Sequence, residues 1–184
     1  MCYFECGNVL LVLKKILVKL ACKYKEAYMN LNDVINSENV DFTGIEASYF
    51  LVGLLSAFEN RFQALADRYM KEISWKQFFA IICIGMCKEK PTLRELADIM
   101  GSSHQNVKQI LLKLEKKGFV TVVADENDRR KQRIEPTDYC KEFCQKNDEI
   151  SINIMNKLFE GVSKEQLQAT IATIIQIEGN MKNI

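Results

Sequence analysis

The sequence has few of the features on which enzyme active sites are built. It contains a single histidine, His104, so a catalyst that depends on histidine as a general base has little support. It also has no evident paired carboxylates, no glycine-rich loop that could cradle a phosphate, and no nucleophile beside a candidate base. We therefore expect that the chain is not an enzyme and that it uses no cofactor.

The sequence also lacks a large excess of charge of either sign and a long run of apolar residues. The formal net charge is only +1, so overall charge neither supports nor excludes a nucleic-acid partner. The apolar run at residues 9–13 is soon interrupted by Lys14 and Lys15, and no small-residue cleavage site follows it. It is therefore neither a secretory signal nor a membrane span, which needs about 20 apolar residues. We expect no membrane partner.

Residues 1–40 are predicted to be an N-terminal extension outside the main domain. An amphipathic helix is indicated there by apolar residues that recur at helical spacing, namely Leu13, Ile16, Leu17 and Leu20. The codons for residues 25–28 could form a purine-rich run that resembles a ribosome-binding site. We hypothesise that translation starts at Met29.

The seven cysteines do not form the pattern of a disulfide framework, because their number is odd and the chain is not short. Three pairs share a spacing of four residues: Cys2/Cys6, Cys83/Cys87 and Cys140/Cys144. On a helix this spacing places both thiols on one face. We interpret them as small buried apolar residues in a reducing cytoplasm. No metal site is expected, since a closed zinc site needs more ligands.

Helix starts are marked by hydroxyl residues that are followed three positions later by Glu or Gln. In such a capping box the hydroxyl accepts a hydrogen bond from a free backbone N–H, and the acid or amide reaches back. The pairs are Thr43/Glu46, Ser74/Gln77, Thr92/Glu95 and Ser163/Gln166. Together with glycines that end helices, they predict helices over 44–72, 75–87, 93–100 and 104–117, and two more that begin near 137 and 163.

After Gly118 the sequence changes to a β-type pattern. Residues 119–123 are rich in β-branched side chains, residues 125–128 favour a turn, and residues 131–135 could return as a second strand. Two short helices joined by a tight turn and followed by a hairpin are the winged helix-turn-helix arrangement. The predicted fold class is therefore mainly α with a small β-hairpin wing.

The predicted helix 104–117 has two different faces. Its apolar residues Val107, Ile110, Leu111 and Leu114 recur on one side and indicate a core face. The opposite side carries Gln105, Gln109 and Lys116, flanked by Asn106, Lys108 and Lys113. Asn and Gln can pair with adenine, and lysine with guanine or phosphate. Leu112 also points partly outward, and the pattern assigns it no role.

Basic residues are concentrated in this region. Eight basic and four acidic residues lie between Ser103 and Arg133, which fits a surface that displaces counterions from DNA phosphates. A solvated helix face and a charged hairpin would give the same composition. The predicted DNA-binding residues are Ser103, His104, Gln105, Asn106, Lys108, Gln109, Lys113, Arg129, Arg130, Lys131 and Arg133.

The segment from Pro91 to about Phe143 resembles the DNA-binding core of the MarR family of transcriptional regulators. Residues 92–97 are similar to the family's supporting helix, residues 103–110 to its recognition helix, and residues 114–120 to its exit into the wing. Residues 125–130 resemble the wing signature of two acids followed by arginine.

The resemblance implies that Arg129 and Arg130 enter the minor groove and that Asp128 stabilises the wing. A narrow minor groove concentrates negative potential and so attracts arginine. After the wing this family usually has leucine–threonine, and glycine three residues later. This chain has Pro136–Thr137 and then Cys140, so the start of the next helix departs from the pattern.

A weaker resemblance covers residues 45–181 and implies the domain organisation. The MarR-like domain is expected over 41–184, with a winged helix-turn-helix core at about 74–136 and dimerisation helices at about 44–72 and 137–181. The implied function is a homodimer that binds a palindromic double-stranded DNA operator. It usually represses transcription, and a small-molecule effector weakens its DNA affinity.

Two other functions fit the same fold. A thiol switch would make the cysteines sensors of oxidation, which requires exposed thiols with a lowered pKa. A winged-helix module that binds only protein is the other alternative, and failure to retain DNA at low salt would favour it.

Overall fold

The computed structural model describes residues 44–125, 128 and 130–184. The predictions for the N-terminal extension, for Cys2/Cys6, for the capping box at Thr43 and for a start at Met29 lie outside the described residues. The first of two compact units ends at Arg61, and the second runs from Phe62 to Ile184.

The order of elements is the predicted one: helices, one hairpin, then helices. The elements are α1 (Ala47–Tyr69), α2 (Trp75–Met86), α3 (Leu93–Ile99), α4 (His104–Lys116), β1 (Val120–Ala124), β2 (Gln132–Pro136), α5 (Asp138–Leu158) and α6 (Lys164–Met181). The mainly helical fold class with a hairpin wing is therefore confirmed.

The helix starts follow the predicted capping chemistry. Complete capping boxes begin α2 at Ser74, α3 at Thr92 and α6 at Ser163. Thr137 caps α5, since its Oγ1 accepts a hydrogen bond from the backbone N–H of Cys140 at 3.2 Å. Each cap satisfies an N–H group that the helix leaves free, so the departure at Pro136–Thr137 still gives a well-defined helix start.

The buried core lies where α2, α3 and α4 meet the hairpin and the start of α5. Phe119 is 1% exposed, and its ring makes edge contacts with Phe143 and Tyr139 at centroid distances of 5.1 and 5.0 Å. Burial of one such side chain stabilises the fold by about 1.5–3 kcal/mol. This core holds α4 from behind and leaves its other face exposed.

The hairpin is antiparallel, with Val122 opposite Ile134. Both strands begin one residue later than predicted. Phe119 is not the first strand residue, because its N–H donates to Leu114 O at the end of α4. The backbone N–H of Ile134 donates to Pro91 O at 2.9 Å, which attaches β2 to the loop before α3.

The C-terminal helices bury little apolar surface within the described chain. In α5 only Cys140 and Phe143 are buried, and in α6 none of the described residues is buried. The stripe of α6 at Leu167, Ile171 and Ile175 is exposed. Within the described ranges, each helix is too short or too polar to cross a membrane.

Candidate nucleic-acid interface

The N-terminus of α4 is fixed by two serines. Ser103 Oγ accepts a hydrogen bond from the backbone N–H of Asn106 at 3.3 Å, and Asn106 Nδ2 donates to Ser102 Oγ at 2.8 Å. His104 is the first residue of the helix and is exposed. Asn106, predicted as a base-reading residue, therefore also helps to set the turn that leads into α4.

The two faces of α4 are the predicted ones. Its buried residues are Val107, Ile110, Leu111 and Leu114. Its exposed residues include the predicted DNA-binding residues His104, Gln105, Asn106, Lys108, Gln109 and Lys113. Positions 105, 109, 112 and 116 point most directly away from the core, since an α-helix turns by about 100° per residue. A polar, basic helix face is thus presented to solvent.

The turn of the hairpin is organised by two aspartates. Asp125 Oδ1 accepts a hydrogen bond from the N–H of Asp128 at 2.9 Å, and Asp128 Oδ1 accepts one from the N–H of Arg130 at 3.1 Å. The N–H of Lys131 donates to Asp128 O at 2.8 Å. Asp128 is thus placed where it can stabilise the wing, as expected. Asp125 is 9% exposed and also holds the turn, a role that the sequence did not indicate.

The predicted wing residues fall into three groups. Arg130 and Lys131 are exposed at the end of the hairpin. Arg129 lies outside the described residues. Arg133, in contrast, is directed into the protein, where its Nε donates to Asp125 Oδ2 at 2.5 Å.

Arg133 requires a correction to the predicted set of DNA-binding residues. Its Nη1 also contacts Lys90 O at 3.0 Å and Glu95 Oε2 at 3.2 Å. The hydrogen bond to Asp125 raises the pKa of Arg133 most, and the negative charges of Asp125 and Glu95 raise it further. Its Nε and Nη1 are engaged because β2 brings Arg133 beside Asp125 of the hairpin turn and Glu95 of α3. Arg133 therefore joins the hairpin to α3, and its side chain is not extended into solvent as a predicted DNA contact would be.

A contact network that sequence reasoning missed surrounds the end of α4. Lys117 Nζ donates to Glu72 O at 2.6 Å and Gln77 Oε1 at 3.4 Å. Tyr139 donates its hydroxyl proton to Glu72 Oε2 at 2.6 Å, and this hydrogen bond raises the pKa of Tyr139. Glu72 therefore connects the end of α4 with the start of α5. These partners lie 45 and 67 positions from Glu72, so no local pattern reveals them.

The described cysteines do not have the properties of oxidation sensors. Burial raises the pKa of Cys83, Cys87 and Cys144, and it raises that of Cys140 from 9.0 to about 12. A reactive thiol needs the opposite shift. In the part of the chain that the structure covers, no three His, Cys, Asp or Glu residues are grouped as metal ligands.

Comparison with known proteins assigns a family to this geometry. Residues 73–131 match the model of the MarR family. This match covers α2 to the hairpin turn, and therefore both surfaces described above. The family consists of transcription regulators and not of enzymes, in agreement with the sequence-based expectation.

Solved structures share the fold. A MarR/EmrR family transcriptional regulator from Acinetobacter sp. ADP1 is 15% identical, with a TM-score of 0.68 over 76% of this chain and 100% of the other. A MarR protein from Peptoclostridium difficile is 18% identical, with a TM-score of 0.67 over 80% and 95% of the two chains. The S. aureus MepR–DNA complex gives 16% identity and a TM-score of 0.64 over 76% and 99%.

The match to the family model and the shared fold agree. Residues 73–131 match the MarR family, and they lie within a chain that has the winged helix-turn-helix fold of solved MarR-family regulators.

Proposed function

We propose that the protein is a sequence-specific DNA-binding regulator that inserts α4 into the major groove. The observation that carries the proposal is the exposed face of α4, where Gln105 and Gln109 stand between lysines on a helix held rigidly from behind. A major groove about 12 Å wide admits such a helix. The MepR structure, which has the same fold, contains DNA.

The exposed residues then divide into two kinds of contact. Gln105 and Gln109 read base edges, for which adenine offers a bidentate partner. Phosphates are met by Ser103, His104, Asn106, Lys108 and Lys113, and on the wing side by Lys131. Free N–H groups at the start of α4 add attraction for phosphate. Arg129 and Arg130 enter the minor groove from the wing, which Asp128 stabilises.

We further propose that the protein acts as a homodimer. The 18-residue helix α6 buries no residue against the described part of its own chain, whereas a second copy would cover its apolar stripe. Helices of one chain are stabilised mainly by packing of such a face. A twofold dimer places two copies of α4 one DNA turn apart, which requires a palindromic operator.

Repression and its relief complete the proposal. A dimer bound at an operator blocks transcription in the cytoplasm. A small-molecule effector weakens DNA affinity if it binds better to a state in which the two α4 helices no longer match the groove spacing. The family resemblance supports this step, and an effector screen by thermal shift tests it.

A selection from random double-stranded DNA tests the function directly. The protein should enrich an inverted repeat, and its affinity should fall steeply between 50 and 200 mM salt, as phosphate contacts require. A matched variant, Lys88→Ala, removes an exposed lysine from the loop between α2 and α3, outside α4, the wing and the expected dimerisation helices, and should leave affinity unchanged. Failure to enrich any duplex, or to retain DNA at low salt, would instead favour a module that binds only protein.

A further inference from the structure

The outward face of α4 contains one apolar side chain among its polar ones. Leu112 is 48% exposed, whereas the other two leucines of the helix, Leu111 and Leu114, are buried. At about 100° per residue, it points within about 30° of the direction opposite to the four buried side chains. It therefore belongs to the same row as Gln105, Gln109 and Lys116.

Resting on the function proposed above, we propose that Leu112 selects thymine in the operator through the C5 methyl group in the major groove. Leu112 lies about 4.5 Å further along the helix axis than Gln109. This distance is similar to the spacing of about 3.4 Å between successive base pairs, so the two side chains can reach neighbouring base pairs. Its side chain has no hydrogen-bonding atom, so it discriminates bases only by apolar contact.

The chemistry of the groove explains why thymine is the preferred partner. Thymine is the base that offers a methyl group in the major groove, whereas cytosine offers an N4 amino donor and the purines offer polar edges. A donor or acceptor covered by leucine would lose its water without gaining a partner, which is costly. Thymine therefore gains an apolar contact, whereas each of the other bases loses a hydrogen bond to water.

The surroundings of Leu112 do not fit a protein partner. Its exposed neighbours on the helix are charged: Lys108 and Lys116 lie four positions away, and Glu115 lies three positions away. A protein docking site needs a continuous apolar patch of some hundreds of Å², which a single leucine among charged side chains does not supply. A DNA base flanked by phosphates matches both the charge and the size of this surface.

The experiment crosses a protein change with a single-methyl change in the DNA. Duplexes selected from a random library with the unaltered protein should contain a strongly preferred thymine in each half-site. Deoxyuridine, which lacks only the methyl, then replaces that thymine. Affinity should fall about fourfold per half-site for the unaltered protein, the effect of burying one methyl-sized group, and should not change for Leu112→Ala.

Two further variants complete the test. Leu112→Met retains an apolar side chain and should retain the preference for the methyl group. Ile99→Ala removes a side chain of the same exposure, 48%, from α3, and should leave the effect of deoxyuridine intact. Circular dichroism melting of each variant verifies the fold.

The outcomes separate this inference from the function on which it rests. If Leu112→Ala loses affinity equally for thymine and deoxyuridine duplexes, or keeps the full methyl effect, the thymine contact is refuted while DNA recognition by α4 stands. A selected site without a thymine preference refutes it as well. If the unaltered protein selects no site, the proposed function fails and this inference fails with it.

Discussion

One hydroxyl group, that of Thr137, links the residue after α4 to the start of α5, which makes Thr137→Ala a sharp test of the fold. Thr137 Oγ1 donates to Gly118 O at 2.6 Å and accepts from the N–H of Cys140 at 3.2 Å. The first hydrogen bond holds Gly118, which follows α4, and the second caps α5. Alanine removes both, while the backbone bond from the N–H of Thr137 to Phe119 O is kept.

The expected magnitude is the sum of two small losses. Removal of an N-cap costs about 1 kcal/mol, and loss of the hydroxyl–carbonyl bond costs about 1 kcal/mol more. The free energy of unfolding should therefore fall by about 2 kcal/mol, which for a chain of this size lowers Tm by about 4–8 °C.

Urea unfolding followed by fluorescence measures this change, because Trp75 is the single tryptophan of the chain. Trp75 lies in α2 beside Phe62, at a ring-centroid distance of 4.7 Å, so its emission reports on the folded core. Thr137→Ser is the matched control, since it keeps the hydroxyl and should cost less than about 0.5 kcal/mol. Equal free energies of unfolding for the alanine and serine variants, at one protein concentration, would refute the reasoning.

Three further predictions concern the wing, the thiols and the dimer. Arg133→Ala should lower the urea midpoint more than Glu95→Gln, which keeps the capping box. It should also leave the salt dependence of DNA binding unchanged. If the slope of log affinity against log salt concentration fell by about one per site, Arg133 would be a phosphate contact. Since burial raises the pKa of Cys140 from 9.0 to about 12, its thiol stays protonated at pH 7, and its rate of alkylation by iodoacetamide should still be rising above pH 10, where an ordinary thiol has levelled off. Rapid alkylation of Cys140 at pH 7, located by mass spectrometry, would contradict this. Ile171→Asp should convert dimers to monomers in analytical ultracentrifugation, whereas Gln176→Asp on the opposite side of α6 should not, and equal effects would exclude α6 as the interface.

The helices were predictable because their start signals are local. A serine or threonine and the residue three positions later decide whether a capping box forms, and Ser74, Thr92 and Ser163 all form one. The two faces of α4 were predictable for a similar reason, since the helical period alone separates Val107 from Gln105. The first strand was misplaced by one residue because the N–H of Phe119 is used by the end of α4.

The environment of individual side chains was less predictable. Arg133 is a basic residue in a basic segment and was therefore predicted to contact DNA. Folding places it beside Asp125 and Glu95, and Glu95 lies 38 positions away in the sequence. The link from Lys117 to Glu72 is equally remote in sequence. Composition gives the charge of a segment, whereas only the fold decides which charges remain free for a partner. The domain limits, the dimer helices and the roles of the exposed α4 residues stay predictions.

The central claim is that the outward side chains of α4 read base sequence. The most direct measurement is the dissociation constant of Gln105→Ala/Gln109→Ala, by fluorescence anisotropy, for a selected site and for a scrambled duplex of the same length. Each good bidentate contact discriminates by about 1–3 kcal/mol, so affinity for the selected site should fall by about tenfold or more, while affinity for the scrambled duplex stays the same. Unchanged affinity for the selected site, or an equal loss on both duplexes, would contradict the account.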